Sequence, residues 1–450
     1  MHIQSQGNPD RLIVFGRYPV PGEVKTRLIP ALGPGGAAEL HRRLSEKTLV
    51  MGYDYGRQAG AQVHFCYAGG DPARINRWLP LPGLSHSPQV AGDMGGRMAA
   101  AFEEAFRSGC ERAVLVGTDL PNLSEAHLAA AFTALESHDV VLGPSSDGGY
   151  WVLGLKKKPD LFRGRTWGHS GVLEQTLRKV RRLGLRYARL AVLSDLDTPA
   201  DLEAHLPRSQ WPLPYLSVVV PTLNEAPNLE ATLAPLGGPD VEVLVADGGS
   251  RDATQAVAVE LGAHLLSSPP GRAVQQNCAA RQSRGTVLLF LHADTHLPED
   301  YLNHIFETLM DPHVALGAFR FATDYAGLGM GLITWATRLR SSYFKLPYGD
   351  QGLFMRPDTY AQLGGFPEVA IAEDLLLVRQ AGRLGKIEIA PAMAVTSGRR
   401  WRRRGVWRTT LINYLIAGGC LAGVPPKYLA FLYGSRSRPP ATSALPEEGS

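Results

Sequence analysis

The stretch SVVVPTLNEAPNLEATL, Ser217–Leu233, decides how this 450-residue chain is read. Its apolar start has the length and β-branched content of a buried strand. Pro221 breaks that strand and a helical pattern resumes a few residues later, which leaves Asn224 and Glu225 in the turn. A strand that feeds a helix through such a turn brings polar side chains and unpaired backbone N–H groups to one point, a favourable place for a phosphorylated ligand.

Working outward, VEVLVADGGSRDAT (241–254) ends its apolar run on Asp247. That carboxylate can accept from a base or ribose, and Gly248 and Gly249 permit close backbone approach. On its own, an Asp-Gly-Gly turn ordinarily just reverses the chain. Gly271 and Arg272, followed by Gln276 and Asn277, form a further turn and helix before TVLLFLHADTHLP (286–298), where Asp294 follows a continuous apolar strand. A carboxylate at such a strand end suits a divalent cation held against a diphosphate. GDQG (349–352) sets Asp350 and Gln351 behind Tyr343, Phe344 and Tyr348, as contacts for an acceptor or a donor sugar. AEDLLL (372–377) opens a helix with Glu373 and Asp374, a position where Asp is more often a cap than a catalyst. The cluster RRWRRR (399–404) suits a solvated face, an anionic-lipid contact or a diphosphate clamp.

In this order PTLNE, ADGGS, GRAVQQN, LHADT, GDQG, GGFP, AEDLLL and SGRRW resemble glycosyltransferase family 2 over about residues 215–432. The likeness is to the branch of radical-SAM/selenodomain-associated transferases linked to arsenosugar biosynthesis. It implies a GT-A fold, inverting transfer from a nucleotide sugar, and an Mg2+ or Mn2+ ion held by Asp294. It also implies that Asp374 is the base that deprotonates the acceptor hydroxyl, with Glu373 orienting it or the acceptor. Pro221, Asn224, Glu225, Asp247, Gly248, Arg272, Gln276 and Asn277 then line the donor site, and Arg399, Arg400 and Trp401 turn towards the diphosphate. The family's Asp-x-Asp reads His292-Ala293-Asp294 here, so His292 either contacts ribose or ligates the metal as a neutral imidazole.

The first half follows the same plan with a different sequence. LIVFG (12–16), VHFCYA (63–68), AVLVG (113–117) and VVLG (140–143) alternate with helical stretches such as 37–51 and 98–108, the alternation of an α/β sheet. The pattern restarts after the Pro-rich AHLPRSQWPLP (204–214), which marks a domain boundary. GRYPVPGEVKTRL (16–28) carries Lys25 and Arg27 on a Gly/Pro loop before a helix, which suits a triphosphate or pyrophosphate. The Walker spacing is absent, which disfavours a kinase or ATPase. VLVGTDLP places Asp119 at a strand end, SSDGGYWVLGL sets Gly148 and Gly149 before another strand, and DLDTPADL adds Asp195 and Asp197. Asp119 and Asp197, from distant segments, suit one shared Mg2+ over nucleotide phosphates, and each alone also suits a turn or helix cap.

This ordering resembles the companion selenodomain-associated transferase, a relative of 2-phospholactate guanylyltransferase and of molybdenum-cofactor nucleotidyltransferases, over about residues 11–205. It implies nucleotidyl transfer, with Lys25 and Mg2+ stabilising the departing pyrophosphate. The opening loop departs from the Gly-Gly-x-Ser-x-Arg-Met-Gly pattern of the molybdenum-cofactor enzymes, and its KTRL is closer to the guanylyltransferase form.

The expected architecture is therefore α/β, two tandem GT-A-like domains of Rossmann type: 1–205, a linker at 206–214, 215–434, and a disordered tail at 435–450. Composition agrees, with 44% hydrophobic and 20% charged residues in a chain too long for one core. A net charge of +4 provides no nucleic-acid footprint. Four distant cysteines and the polar start MHIQSQGNPD suit a reducing cytoplasm. The apolar run 411–424 is short of the ~20 residues that span a bilayer, but with Arg402–Arg404 it suits peripheral contact at the inner membrane face. Expected partners are a nucleotide sugar, a nucleoside triphosphate and a small-molecule or lipid-like acceptor. Two alternatives stand beside this reading: a non-catalytic, nucleotide-binding N-terminal domain, and a membrane-surface scaffold.

Overall fold

The computed structural model describes residues 10–429 apart from 158, 164, 165 and 328, so the expected tail at 435–450 lies outside the described residues. The chain forms two compact units that adjoin in sequence at Leu213 and Pro214.

The first unit is built on a seven-stranded sheet. Its strands are β1 (Asp10–Arg17), β2 (Gln62–Ala68), β3 (Ser85–Pro88), β4 (Arg112–Gly117), β5 (Val140–Pro144), β6 (Tyr150–Leu155) and β7 (Tyr187–Arg189). Their spatial order is β3-β2-β1-β4-β6-β5-β7. The first four run parallel, β6 is antiparallel to both β4 and β5, and β7 is parallel to β5. Helices cover the faces of the sheet, so β1 and β4 read as continuous apolar runs. One core layer packs Ile13, Leu115 and Leu153 against Phe102, Phe162 and Leu177.

The second unit carries eight strands: β8 (Leu216–Thr222), β9 (Val241–Asp247), β10 (His264–Ser267), β11 (Val287–Phe290), β12 (Thr295–His296), β13 (Val314–Thr323), β14 (Leu353–Met355) and β15 (Lys386–Thr396). The order is β10-β9-β8-β11-β14-β13-β15-β12. Without β12 this is the first sheet again, strand for strand and sense for sense: β8 corresponds to β1, β11 to β4 and β15 to β7. Its core packs Val219, Leu288 and Leu353 against Phe366, Leu377 and Val378. In each sheet the end away from the candidate site is tied by a carboxylate. Asp10 takes a two-pronged bond from Arg112 at 2.6 and 2.7 Å, and Glu242 accepts from Arg284 and from Ser217.

One expectation is corrected. Pro221 does not break its strand: β8 continues to Thr222, with Pro221 beside Ala246 of β9. The other neighbour, β11, pairs only as far as Val219, so nothing in the ladder needs the missing N–H. The Pro-rich stretch at 206–214, expected as a linker, is held to the first unit through Trp211. Trp211 donates to the Leu206 carbonyl at 3.1 Å and packs against a cluster that contains Leu28, Leu40 and Leu202.

Candidate functional site

In open α/β sheets ligands meet the carboxyl ends of the strands, and here the conspicuous polar residues gather at those ends. After β8, Asn224 takes a left-handed backbone (φ 56) that fits a turn-forming Asn. Its side chain accepts from Arg251 N at 2.8 Å, so it joins two loops of its own chain. Asp247, at the end of β9, is turned inward. It accepts from the amides of Gly249 (3.0 Å) and Ser250 (2.9 Å), from the Ser250 hydroxyl and from Gln255 Nε2 (2.7 Å). Burial alone would raise its pKa, but the donors from Ser250, Gln255 and Gly249 hold it below the ordinary carboxylate value. Asp247 thus shapes the loop, and its oxygens are taken up by that loop.

Several motif residues expected at the donor site prove to be internal braces. Asn277 donates to Phe366 O (2.9 Å) and accepts from Phe366 N (2.9 Å) and Tyr360 Oη (2.6 Å). Gln351, fully buried, donates to Phe319 O at 2.8 Å and accepts from Tyr348 N at 3.2 Å. Trp401 packs with Phe321 in a small apolar cluster. Gln276 is buried as well, while its unremarked neighbour Gln275 reaches the carbonyls of Thr222 (2.7 Å) and Ala246 (2.8 Å), next to Gly248. In the first unit a Cβ on Gly148, whose φ is +87, would sit 2.0 Å from Ser170 O. The close approach that this glycine permits is therefore to its own chain, and Gly149 N is bound by Asp147 at 2.8 Å.

Two groupings remain at the strand ends of the second unit. In the first, Arg399 Nη2 lies 3.0 Å from Glu225 Oε2 and 2.8 Å from Asp294 Oδ2. Glu225 follows β8, Asp294 follows β11 and Arg399 follows β15, so three strand ends define one cation position. In the second, the amide of Gly349 donates to Asp374 Oδ2 at 2.7 Å. A Cβ on Gly349 would meet His292 Nε2 at 2.8 Å and Asp374 Oδ2 at 3.2 Å, so both atoms border the same point. His292 Nε2 and Asp350 Oδ1 are buried with no hydrogen-bond partner among the described residues. Burial, then Arg272 and Arg400, push the imidazole pKa well below its usual value, so His292 is neutral. Burial and the neighbouring Asp374 push Asp350 up to about 6 against the pull of Arg340 and Arg400. Glu373, next to Asp374, is buried and paired with Arg272, 3.1 Å away. Arg340, absent from the expected site, stacks 3.4 Å above the Tyr348 ring, and a cation within an aromatic stretch was the signal that could have found it.

His292 Nε2 and Asp374 Oδ2 thus border one point at Gly349, and His292 is two residues along the chain from Asp294. Among the described residues no group of three or more His, Cys, Asp or Glu side chains is placed to hold a metal. The Glu225–Asp294 pair still fits an Mg2+ or Mn2+ ion, because a cation already stands between the two carboxylates and such ions commonly take one or two carboxylates plus substrate phosphates.

The first unit has the counterpart with the charges exchanged. Lys25, after β1, places Nζ 2.7 Å from both Asp119 Oδ1, after β4, and Asp197 Oδ1, beyond β7. Leu196 N donates to the Asp119 carbonyl at 2.9 Å, as Ser397 N does to that of Asp294, also at 2.9 Å. In one unit the first loop brings the base and the last segment an acid, and in the other these are reversed. The Lys25 ammonium thus stands between the two aspartates that were expected to share a metal, as the Arg399 guanidinium does between Glu225 and Asp294. Arg27 is exposed. Asp195, which accepts from Ser145 Oγ at 2.8 Å, is pushed up to about 6 by burial and by Asp147, Asp197 and Asp119.

Comparison with known families decides what these two sheets are. The family described as glycosyl transferase family 2 matches residues 217–359, and the family described as an uncharacterized protein conserved in bacteria (DUF2064) matches residues 44–169. The chain joins a DUF2064 domain to a family 2 glycosyltransferase domain. A solved protein from Desulfovibrio desulfuricans G20, described as a nucleotide-diphospho-sugar transferase, is 34% identical over 44% of this chain and 86% of its own, with a TM-score of 0.41. Glycosyltransferase AglE of Haloferax volcanii is 25% identical over 36% of this chain, and an N-acetylglucosaminyltransferase of Rhizobium meliloti is 29% identical over 35%. The chain spans 58% and 38% of the lengths of these two relatives. The family 2 domain thus contains both strand-end groupings up to Asp350, while the DUF2064 match includes Asp119. Both domains are α/β and Rossmann-like, as expected.

Proposed function

We propose that the family 2 domain transfers a glycosyl group, with inversion, from a nucleotide-sugar donor to an acceptor hydroxyl. The observation that carries this reading is the convergence of Asp374, His292 and Asp350 on Gly349, beside the strand ends that carry Glu225, Asp294 and Arg399. Asp374 takes the acceptor proton as the hydroxyl oxygen attacks the anomeric carbon. The bond from that carbon to the diphosphate breaks on the opposite face, and the electron pair leaves with the nucleoside diphosphate. Arg399 and Arg400 meet the departing charge. Glu225 and Asp294 would hold an Mg2+ or Mn2+ ion, which supplies positive charge to the diphosphate when bound. His292 Nε2 and Asp350 Oδ1, buried and unpartnered, are suited to sugar or acceptor hydroxyls.

The test uses the full chain with Mn2+ and a panel of nucleotide sugars, with cell extract as the source of acceptor, and follows nucleoside diphosphate release. Turnover with at least one donor is expected, and its loss in EDTA with recovery on Mn2+ addition would support the cation role of Glu225 and Asp294. Release with no donor would count decisively against the reading. Gly349→Ala is expected to lower kcat on the order of tenfold to a hundredfold with little change in Tm, because the new methyl pushes His292 and Asp374 apart. An unchanged kcat would remove that point from the reaction path.

For the DUF2064 domain we infer nucleotidyl transfer, with Lys25 serving the pyrophosphate once a triphosphate draws it from the aspartates. Pyrophosphate release from nucleoside triphosphates with sugar phosphates tests this. The salt-linked Lys25 favours a second reading, a domain that binds a nucleotide without chemistry. Nucleotide binding without pyrophosphate release would select it.

A further inference from the structure

Two helices of the C-terminal domain leave large apolar side chains in water. In the helix Met330–Tyr343, Leu332, Trp335, Leu339 and Tyr343 recur at three- and four-residue spacing, so they share one face, which Phe344 extends. Trp407, Leu411, Tyr414 and Leu415 do the same on the helix Val406–Leu421. The packed faces are different ones: Met330 and Ile333 lie against Phe321, and Ile416 and Cys420 against Leu375. The helices meet at their starts, where Trp407 closes on Gly329 and Val406 joins the Met330–Ile333 cluster, so the two stripes belong to one surface. Trp335, Tyr343, Phe344 and Trp407 are 61, 76, 62 and 63% exposed, far more than a folded domain ordinarily leaves in contact with water for several neighbouring aromatics.

Charge indicates what covers them. Residues 325–349 and 398–429, which carry both helices, contain ten Lys or Arg and no Asp or Glu, although the whole chain is only +4. A two-fold contact with a second copy would bring these like charges together, and the cores of such interfaces are depleted in charge. We propose that this face seats the protein on an anionic membrane surface. Trp335, Tyr343, Phe344 and Leu411 enter the interfacial layer, where aromatic side chains are favoured. Arg403, Arg404 and Arg408, all exposed, meet the lipid phosphates, while the neighbouring Arg402 is paired with Asp324 at 3.0 Å. Among the described residues no helix is long and apolar enough to cross a membrane, so this contact is made from one side. The proposal goes beyond sugar transfer and does not depend on it.

The experiment is sedimentation of the full chain with vesicles of phosphatidylcholine and phosphatidylglycerol, compared with phosphatidylcholine alone. Binding to the anionic vesicles, weakened by salt, is expected. Replacing Arg403, Arg404 and Arg408 together by Gln should weaken it on the order of a hundredfold, since each basic residue near such a surface contributes about fivefold. Trp335→Ser with Leu411→Ser should weaken it at least tenfold with an unchanged circular dichroism spectrum. Should that variant lose its fold, quenching of wild-type tryptophan fluorescence by brominated lipid provides the same test, with quenching expected. Asp374→Asn is expected to bind like wild type, which separates docking from the transfer reaction. Equal affinity for both vesicle types, no quenching, or a lipid-independent dimer that the Trp335 and Leu411 replacements dissociate would overturn the proposal.

Discussion

Asp374→Asn is expected to lower sugar transfer by about two to four orders of magnitude, the range for losing a positioned general base. Donor KM should change little. The substitution keeps the size and the acceptor oxygen that Gly349 N binds at 2.7 Å, so the loop can hold its shape while the proton acceptor is lost. The instructive comparison is Asp350→Asn. Asp350 is held near pKa 6 by burial and by Asp374 itself, and it has an unpartnered oxygen. If Asp350 were the base, its own amide variant would show the larger loss, and the wild-type rate would fall as pH drops through about 6. A full loss in Asp350→Asn with activity retained in Asp374→Asn would transfer the role. The measurement is nucleoside diphosphate release at saturating donor, with kcat and KM resolved separately.

How much of this was legible beforehand depended on what each residue type signals. Apolar runs ending on Asp119, Asp247 and Asp294 announce strands whose carboxyl ends carry charge, because the physics that buries the run forces its polar end to the rim. The alternation of such runs with helical stretches then yields two sheets of one plan. What the motifs could not convey was direction. Asn277 and Gln351 stand in motif positions, yet their amides serve backbone groups of Phe366 and Phe319, 89 and 32 residues away in sequence. Whether a buried amide faces a ligand or a strand depends on partners that only the folded chain brings close. The same holds for the basic residues. Lys25 suits a phosphate by its loop and Arg399 a diphosphate by family resemblance, and each also neutralises a pair of carboxylates contributed by two other strand ends. The exchange of charge between the two domains becomes visible only once β1 is laid on β8 and β7 on β15.

That exchange makes Lys25 the site of the second large effect. Lys25→Met should destabilise the DUF2064 domain by about 1–3 kcal/mol at pH 7, because Lys25 is buried but the carboxylates it leaves, Asp119 and Asp197, are 40 and 46% exposed and partly screened by water. The Lys25 side chain is 4% exposed and its Nζ lies 2.7 Å from Asp119, Asp197 and the Leu196 carbonyl. Methionine retains the length of the stem, so most of the loss is electrostatic. Burial alone would raise the Asp119 pKa, but Lys25 and His41 outweigh it and hold the carboxyl below its usual range. The corresponding stability is present above the unfolded Asp value of about 3.9 and is lost as pH falls through the folded one. For Lys25 burial lowers the pKa, and Asp119 with Asp197 more than reverse it. That contribution is complete below about 10.4 and is lost as pH rises through the folded value. Wild type therefore keeps both across neutral pH. In the variant Asp119 keeps its burial but loses Lys25, its main counter-charge, and faces Asp195, already pushed up to about 6, so its folded pKa rises above the unfolded one. A raised carboxylate favours the native state at low pH and disfavours it as pH rises. The deficit should thus be greatest near pH 7 and shrink as pH falls towards 4. Amide exchange in β1 and β4 reads this within the domain itself. A deficit that stays constant over that interval would mean that Lys25 contributes only packing, and its part in pyrophosphate chemistry would then have to be judged from Lys25→Arg, which keeps the charge.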